Sequence, residues 1–245
     1  MSLYRDVLYR NYSAAFSAQK SYAPCQQVAQ YEAVYPGLPE NPGLAVADLG
    51  CGKGEWLGWL AGKGFTSLTG VDASESDLFI ARSHDRSGVR WVQADLIEHL
   101  EASPGTYDLL HAKDVIEHMT KDEFIRFLLA AYKALKPGGS LWMLTFNAQS
   151  PLAGATRYGD FTHESGHTPA SLAQCLRACG FVQPKVRGWH YGSGSPGGRM
   201  RAVLGILFYR LCRVVLMLRH GGGGGVEGLD LHSAEPDLFA TAVRP

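Results

Sequence analysis

Between residues 44 and 147, short apolar runs alternate with stretches in which apolar residues return every three or four positions. Runs of the first kind read as buried strands and stretches of the second kind as amphipathic helices. "LAVADLG" (44–50) predicts a strand, and "EWLGWLAGKG" (55–64) predicts a helix stopped at glycine, with Trp56 and Trp59 at core-facing spacing. "SLTGVDA" (67–73) predicts a second strand, a helix follows over about 75–86, and "VRWVQADL" (89–96) predicts a third strand. A fourth lies within "YDLLHAKDVIEHM" (107–119), a helix over "KDEFIRFLLAAYKALKPGG" (121–139) is closed by Pro-Gly-Gly, and "SLWMLTFN" (140–147) is a fifth. Beyond a loop at 148–168 come a helix over about 169–179, the strand-like "FVQPKVRGW" (181–189) and a last strand in "DLFATAVRP" (237–245). Strands alternating with helices imply parallel strands joined by crossovers, hence a doubly wound α/β sheet.

Two segments fall outside that alternation. Residues 2–35 carry six tyrosines at loosely helical spacing before "PGLPENPG" (36–43) breaks the chain, which predicts one or two helices acting as a lid. Residues 185–220 hold seven Lys or Arg and no acid, around the apolar centre "RMRAVLGILFYRLCRVVLMLRH". Arg210 and Arg213 interrupt it, and only 17 residues separate Ala202 from Leu218 inclusive, so it makes a poor membrane span. An interfacial helix on anionic lipid remains open, as does a helix buried against the amino-terminal helices or a second subunit, giving a homodimer. "GGGGG" (221–225) then predicts a flexible joint. The organisation expected is a single domain over 1–245: a helical lid (1–40), a core (41–190), a basic hydrophobic helical insertion (191–228) and a last strand (229–245).

Composition changes this picture little. The 245 residues are 46% apolar, enough for one sizeable core, and 23 basic residues balance 23 acidic ones. Nucleic-acid partners usually select a basic excess, so none is expected here. Five scattered cysteines (Cys25, Cys51, Cys175, Cys179, Cys212) and opening residues unlike a secretory leader fit a reducing, cytoplasmic setting, peripheral to the membrane if the basic helix meets lipid. Cys175 and Cys179 lie one helical turn apart without a nearby CxxC or His partner, so core packing is expected and no metal.

Chemistry enters with "ADLGCGKGEW" (47–56). Gly50, Gly52 and Gly54 follow a strand and open a helix, but Glu55 stands where a dinucleotide fingerprint needs its third glycine, and Asp48 closes the strand. Phosphates tolerate neither change well. S-adenosylmethionine carries no phosphate, and its cationic methionyl end welcomes a nearby carboxylate. Asp72 at the end of the second strand suits the ribose hydroxyls, and Asp95 at the end of the third suits the adenine amino group. Individually such acids often cap helices. Three at successive strand ends point to one crevice.

With these motifs the chain resembles the class I S-adenosylmethionine-dependent methyltransferases over about 44–147, through "DLGCGKGEW", "GVDAS", "QADL", "YDLLHAKDVIEHM" and "LKPGGSLWMLTFN". The resemblance implies a Rossmann-like seven-stranded sheet, mostly parallel with an antiparallel last strand, and S-adenosyl-L-homocysteine as product. It also implies that Cys51, Ala73, Ala94, Leu96 and Lys113 line the cofactor beside the glycines and acids. "FNAQSPLAGATRYGDFTHESGHTPASLAQCLRACGF" (146–181) is similar to a narrower group found in bacterial surface-polysaccharide and O-antigen loci, which implies a glycan hydroxyl acceptor; a small metabolite or lipid acceptor, or a silent partner of an assembly complex, stays open.

Methyl transfer to such a hydroxyl is an in-line displacement helped by a general base and requiring no metal. His163 in "DFTHE" is the expected base, with Asp160 orienting it, and Asp114 and His111 stand second in line. Glu117 and His118 read as helix caps or cofactor wall.

Overall fold

Strands and helices alternate in space as they do in sequence. The computed structural model describes residues 3–10, 31–35, 37–189, 196–220 and 228–245. Seven strands form one sheet: β1 (Ala45–Leu49), β2 (Ser67–Asp72), β3 (Arg90–Gln93), β4 (Tyr107–Lys113), β5 (Leu135–Phe146), β6 (Val182–Trp189) and β7 (Asp237–Val243), in the order β3-β2-β1-β4-β5-β7-β6. β1 pairs in parallel with β2 and β4, whereas β7 runs antiparallel to both β5 and β6. The chain leaves β1 towards β2 and β3 on one side and returns to β4 and β5 on the other. A crevice therefore opens where the carboxyl ends of β1 and β4 diverge, the usual ligand position in such sheets.

Eight helices are described: α1 (Leu3–Arg10), α2 (Glu55–Gly62), α3 (Glu75–His84), α4 (Leu96–Glu101), α5 (Lys121–Ala134), α6 (Ala153–Gly159), α7 (Pro169–Ala178) and α8 (Pro196–His220). Two apolar layers sandwich the sheet. Phe124, Phe127, Leu128 and Ala131 of α5 join Leu172 and Leu176 of α7 over one face. Trp56, Leu57 and Leu60 of α2 pack on the other, with Tyr31, Tyr35 and Trp142. The start of α5 is fixed by a reciprocal box in which Thr120 and Glu123 satisfy each other's backbone amides, a device whose loss costs about 1 kcal/mol.

Several boundaries differ from the sequence expectation for identifiable reasons. α5 stops at Ala134 and β5 begins at Leu135, because the residue preceding Pro137 is pushed out of the helical region and Gly138 takes a left-handed turn (φ 78°) inside the strand. Asp95, expected to end β3, instead caps α4, and α6 fills part of the expected 148–168 loop. The fourth strand ends at Lys113; a single 3-10 turn, Ile116–His118, follows it.

The amino-terminal helix lies over the turn after β4: Arg5 donates to the His118 carbonyl (2.9 Å) and to Glu123 (2.8 Å), and Tyr4 bonds Glu164. Of the segment expected as a lid, Tyr31, Val34 and Tyr35 are core residues instead, and 11–30 lie outside the described residues. Cys175 and Cys179 pack against the core, while Cys25 and the glycine run 221–225 also lie outside that set.

Candidate active site

At the cofactor end, the loop after β1 is stitched to the end of β2. The amides of Gly50 and Cys51 donate to the Val71 carbonyl (2.8 and 3.1 Å). Gly52 donates to Asp72 Oδ2 and Ser74 to Asp72 Oδ1, each at 2.8 Å. Asp72 is thus aimed by two backbone donors, and its remaining lone pairs suit a ribose diol. Burial raises its pKa. Gly50 and Gly54 hold left-handed angles (φ 73° and 79°), and a Cβ on either would meet a neighbour: Val115 at 2.5 Å for Gly50, the Trp91 ring at 2.3 Å for Gly54. These positions need glycine for conformation and for space. Asp95 gives one oxygen to the amides of Ile97 and Glu98 (2.8 and 3.1 Å). Ala73 follows β2 in the open, Ala94 donates to the Asp72 carbonyl (3.1 Å), Leu96 begins α4, and Lys113 pairs with Asp114 at the end of β4. Carboxylates at neighbouring strand ends beside a phosphate-poor glycine loop fit a cationic adenosine donor.

Asp48 and His111 turn out to be partners of each other. His111 is 1% exposed, its Nδ1 lies 2.7 Å from Asp48 Oδ1, its Nε2 lies 2.7 Å from the Tyr35 hydroxyl, and the Trp56 ring stacks on it at 3.8 Å. His111 was expected as a reserve acid or base for the acceptor; the structure instead sets it as a buried strut bracing β1 against β4. The Asp48 carboxylate is 4% exposed, and its Oδ1 is committed to that strut.

The acceptor end is built from three segments. Glu117 and His118 come from the 3-10 turn after β4, Thr145 from β5, and Asp160, Thr162 and His163 from the loop after α6. Glu117, His118 and His163 each present one ligating atom, all within 4.8 Å of one another. The Thr162 hydroxyl donates its single proton to Asp160 Oδ1 (2.6 Å), so it accepts from His118 Nδ1–H (2.9 Å). His163 Nδ1–H donates to the Thr156 carbonyl (2.9 Å). Both rings therefore carry their lone pair on Nε2. Burial and the neighbouring His163 push the His118 pKa down, which keeps the ring neutral.

Glu117 is 3% exposed and accepts a bond from the Thr145 hydroxyl (2.9 Å). Burial, reinforced by the charge of Asp114, pushes its carboxyl up to about 8. Burial acts to raise Asp160 too, but the Thr162 hydroxyl and amide overcome it and hold that carboxyl below the usual range. Asp114 sits at a left-handed φ of 55°, an uncommon conformation for a non-glycine residue and one often found at functional sites. Nearby, Asp237 at the start of β7 is pushed up to about 7 by burial and then by Asp114.

Sequence reasoning placed His163 and Asp114 at this end but assigned Asp160 to His163, whereas its hydroxyl-bridged contact runs to His118. It read Glu117 and His118 as caps or wall and missed Thr145, Thr162 and Asp237. The D-x-x-E-H spacing of Asp114, Glu117 and His118 was the available signal, since one short turn after a strand end brings such residues to the same rim.

A twisted, mostly parallel seven-stranded sheet with β7 reversed and a carboxylate-glycine cofactor crevice defines the class I methyltransferase architecture, with S-adenosylmethionine as cofactor. A "Methyltransferase domain" family model matches residues 46–139, and that segment is a methyltransferase domain of this S-adenosylmethionine-dependent class. The mitochondrial ubiquinone biosynthesis O-methyltransferase of Mus musculus is 29% identical over 181 residues, 66% of this chain and 47% of that protein. The chain thus spans about half the length of that relative. Among solved structures, a SAM-dependent methyltransferase from Archaeoglobus fulgidus superposes with a TM-score of 0.68 at 18% identity, covering 96% of this chain and 99% of its own. Phosphoethanolamine N-methyltransferase 2 of Haemonchus contortus, solved with S-adenosyl-L-methionine, gives 0.61 at 16% identity over all of this chain and 60% of its own. At such identities these two likenesses speak to the fold.

Proposed function

We propose that the protein transfers a methyl group to a hydroxyl oxygen of a sugar in the assembly of a bacterial surface glycan. The observation that carries the hydroxyl reading is the acceptor end itself: two imidazoles with Nε2 lone pairs stand beside a buried carboxylate, a set suited to removing a proton from a weakly acidic group. The relatives named as O-methyltransferases support oxygen as the acceptor atom. The sugar assignment rests on the resemblance of 146–181 to enzymes of surface-polysaccharide loci and on the exposed rim of α6 and its following loop, where the Tyr158 and Phe161 rings stand open as stacking surfaces.

The bound cofactor supplies an electrophilic methyl on a sulfonium. Asp72 and the glycine loop hold the donor, and His163 Nε2 takes the hydroxyl proton as the oxygen gains its methyl, leaving a neutral thioether. A second reading, a small-molecule or lipid acceptor, is favoured by the names of the curated relatives. Incubation with labelled S-adenosylmethionine and either glycans or quinone precursors separates the two: label in the saccharide fraction supports the first reading, and label only in the quinone fraction overturns it.

We infer also that the enzyme works against an anionic membrane surface through α8. Leu204, Leu207, Phe208, Leu211, Val215 and Leu218 are exposed and fall within a sector of about 100° at helical spacing, with exposed Arg210 and Arg219 on its two flanks. The opposite side, including Tyr209 and Cys212, is half-buried, and Arg213 anchors it to Asp230 at 2.8 Å. Among the described residues no helix is long and apolar enough to cross a membrane, which fits a helix lying along one. Sedimentation with phosphatidylglycerol-rich vesicles tests this. Pelleting that survives Leu207→Glu with Leu211→Glu overturns it.

A further inference from the structure

We propose that Tyr35 and His111 are positioning residues for the cofactor: through a buried relay they hold the Asp48 carboxylate as the counter-charge for the cationic methionyl end of S-adenosylmethionine. Three observations lead to it.

First, the relay is continuous and packed into one arrangement. A carboxylate only accepts, so His111 Nδ1–H donates to Asp48 Oδ1 (2.7 Å), and Nε2 is left for the Tyr35 hydroxyl (2.7 Å). Trp56 stacks on the imidazole, and the Trp142 ring lies parallel to Tyr35, 5.9 Å away with 5° between the planes. The segment that carries Tyr35 is tied down in turn, because Arg187 donates to the Val34 carbonyl (2.6 Å). Asp48 is thus the exception at its end of the crevice, aimed by side chains where backbone amides aim Asp72 and Asp95.

Second, the carboxylate lacks a fixed cation. Asp48 is buried, yet among the described residues no lysine or arginine pairs with it, and no hydrogen bond reaches its Oδ2. A buried acid is usually offset by a counter-charge. A neutral imidazole in this tautomer gives Asp48 a donor without cancelling its charge. The strand pairing itself does not call for such a group: Val46 beside Leu109 and Leu49 beside Ala112 flank the Asp48–His111 pair in the same register, and an apolar pair there would often stabilise as well. A cationic ligand supplies the missing charge.

Third, the charge is felt in the cofactor loop. Burial first, and then the charges of Asp48 and Asp72, push the Cys51 thiol up. The field that disfavours a thiolate at this point of the loop favours an ammonium or a sulfonium beside it.

Loss of the Tyr35 hydroxyl would leave His111 Nε2 in a dry place without its partner, free the ring to tilt, and take the aim from Asp48. The adenosine end would be spared, since Asp72 is held by its own amides.

The test is calorimetry on the full chain with two ligands: S-adenosylmethionine, and methylthioadenosine, which keeps adenine, ribose and sulfur but has no amino-acid end and no positive charge. In Tyr35→Phe and in His111→Gln, affinity for S-adenosylmethionine is expected to fall about tenfold while that for methylthioadenosine stays at the wild-type value, which also reports folding. Asp48→Asn should show the same selective loss. Adding Tyr35→Phe to it should lower S-adenosylmethionine affinity no further, because Tyr35 acts through that carboxylate. Unchanged S-adenosylmethionine affinity in Tyr35→Phe overturns the proposal. An equal fall for both ligands overturns it too, since that marks the relay as a brace for the fold. So does a Tyr35→Phe loss that persists in full on the Asp48→Asn background.

Discussion

The two ends of the crevice are held by different means. At the cofactor end, side chains are aimed by backbone amides: Gly52, from the loop after β1, and Ser74 clamp Asp72, and Ile97 and Glu98 clamp Asp95. At the acceptor end, side chains aim each other across long stretches of chain, as in the Asp160–Thr162–His118 relay and the Thr145–Glu117 bond. Backbone clamps depend on local geometry and tolerate distant change. Side-chain relays concentrate polar groups in a dry place, where loss of one member leaves the others unsatisfied. The contrast suits a reaction in which the donor is common to a large class and the acceptor is not.

The sharpest way to probe that contrast is His163→Ala. The acceptor end should lose its proton acceptor while the cofactor end is untouched, so kcat is expected to fall about 1000-fold with the S-adenosylmethionine dissociation constant unchanged. Single-turnover kinetics with calorimetry reads both, and a variant with weakened cofactor binding would show that the two ends are not separable.

Next in size is Gly54→Ala. The new methyl would enter the Trp91 ring at 2.3 Å from a backbone with φ 79°, so left-handed strain and overpacking add to a loss of about 3 kcal/mol in urea denaturation. Here the cofactor end is expected to fail through the fold. Asp72→Ala should act on the ligand instead, weakening S-adenosylmethionine about 100-fold by calorimetry, since a carboxylate hydrogen-bonded to a diol contributes a few kcal/mol. Unchanged affinity would mean that Asp72 merely ties the loop.

This difference also explains how much was legible in the chain. The strands, their order of appearance and the acids of the cofactor end could be read because each depends on residues close in sequence: an apolar run, a glycine turn, an acid at its end. α4 and α6 were missed because both are short, six and seven residues, with too few turns to display a period. The pairing of Asp48 with His111 was invisible because it depends on the register between β1 and β4, which sets these two residues side by side. Glu117 looked like a cap because nothing local reveals that its turn is closed over by residues 164 and 165. His163 was singled out from its loop position, but what stands next to it is decided by packing.

The smallest expected effect concerns His167, which lies beside the acceptor end without joining its relay. It is 6% exposed, packed on the Phe124 ring, with Nε2 3.2 Å from the Ser165 hydroxyl, and burial lowers its pKa to about 4. An unfolded histidine titrates near 6.5, so between about pH 6.5 and 4 the unfolded chain binds the extra proton and stability falls as pH drops through that window. At pH 5 the loss from this residue should be about 2 kcal/mol relative to pH 7. His167→Gln should flatten the decline in urea midpoints between pH 7 and 5, whereas the decline should remain intact in Asp72→Ala. If His167→Gln leaves the slope as it was, the acid sensitivity of the acceptor side belongs to the relay rather than to this supporting ring, and the two ends of the crevice would then differ in pH response as well as in construction.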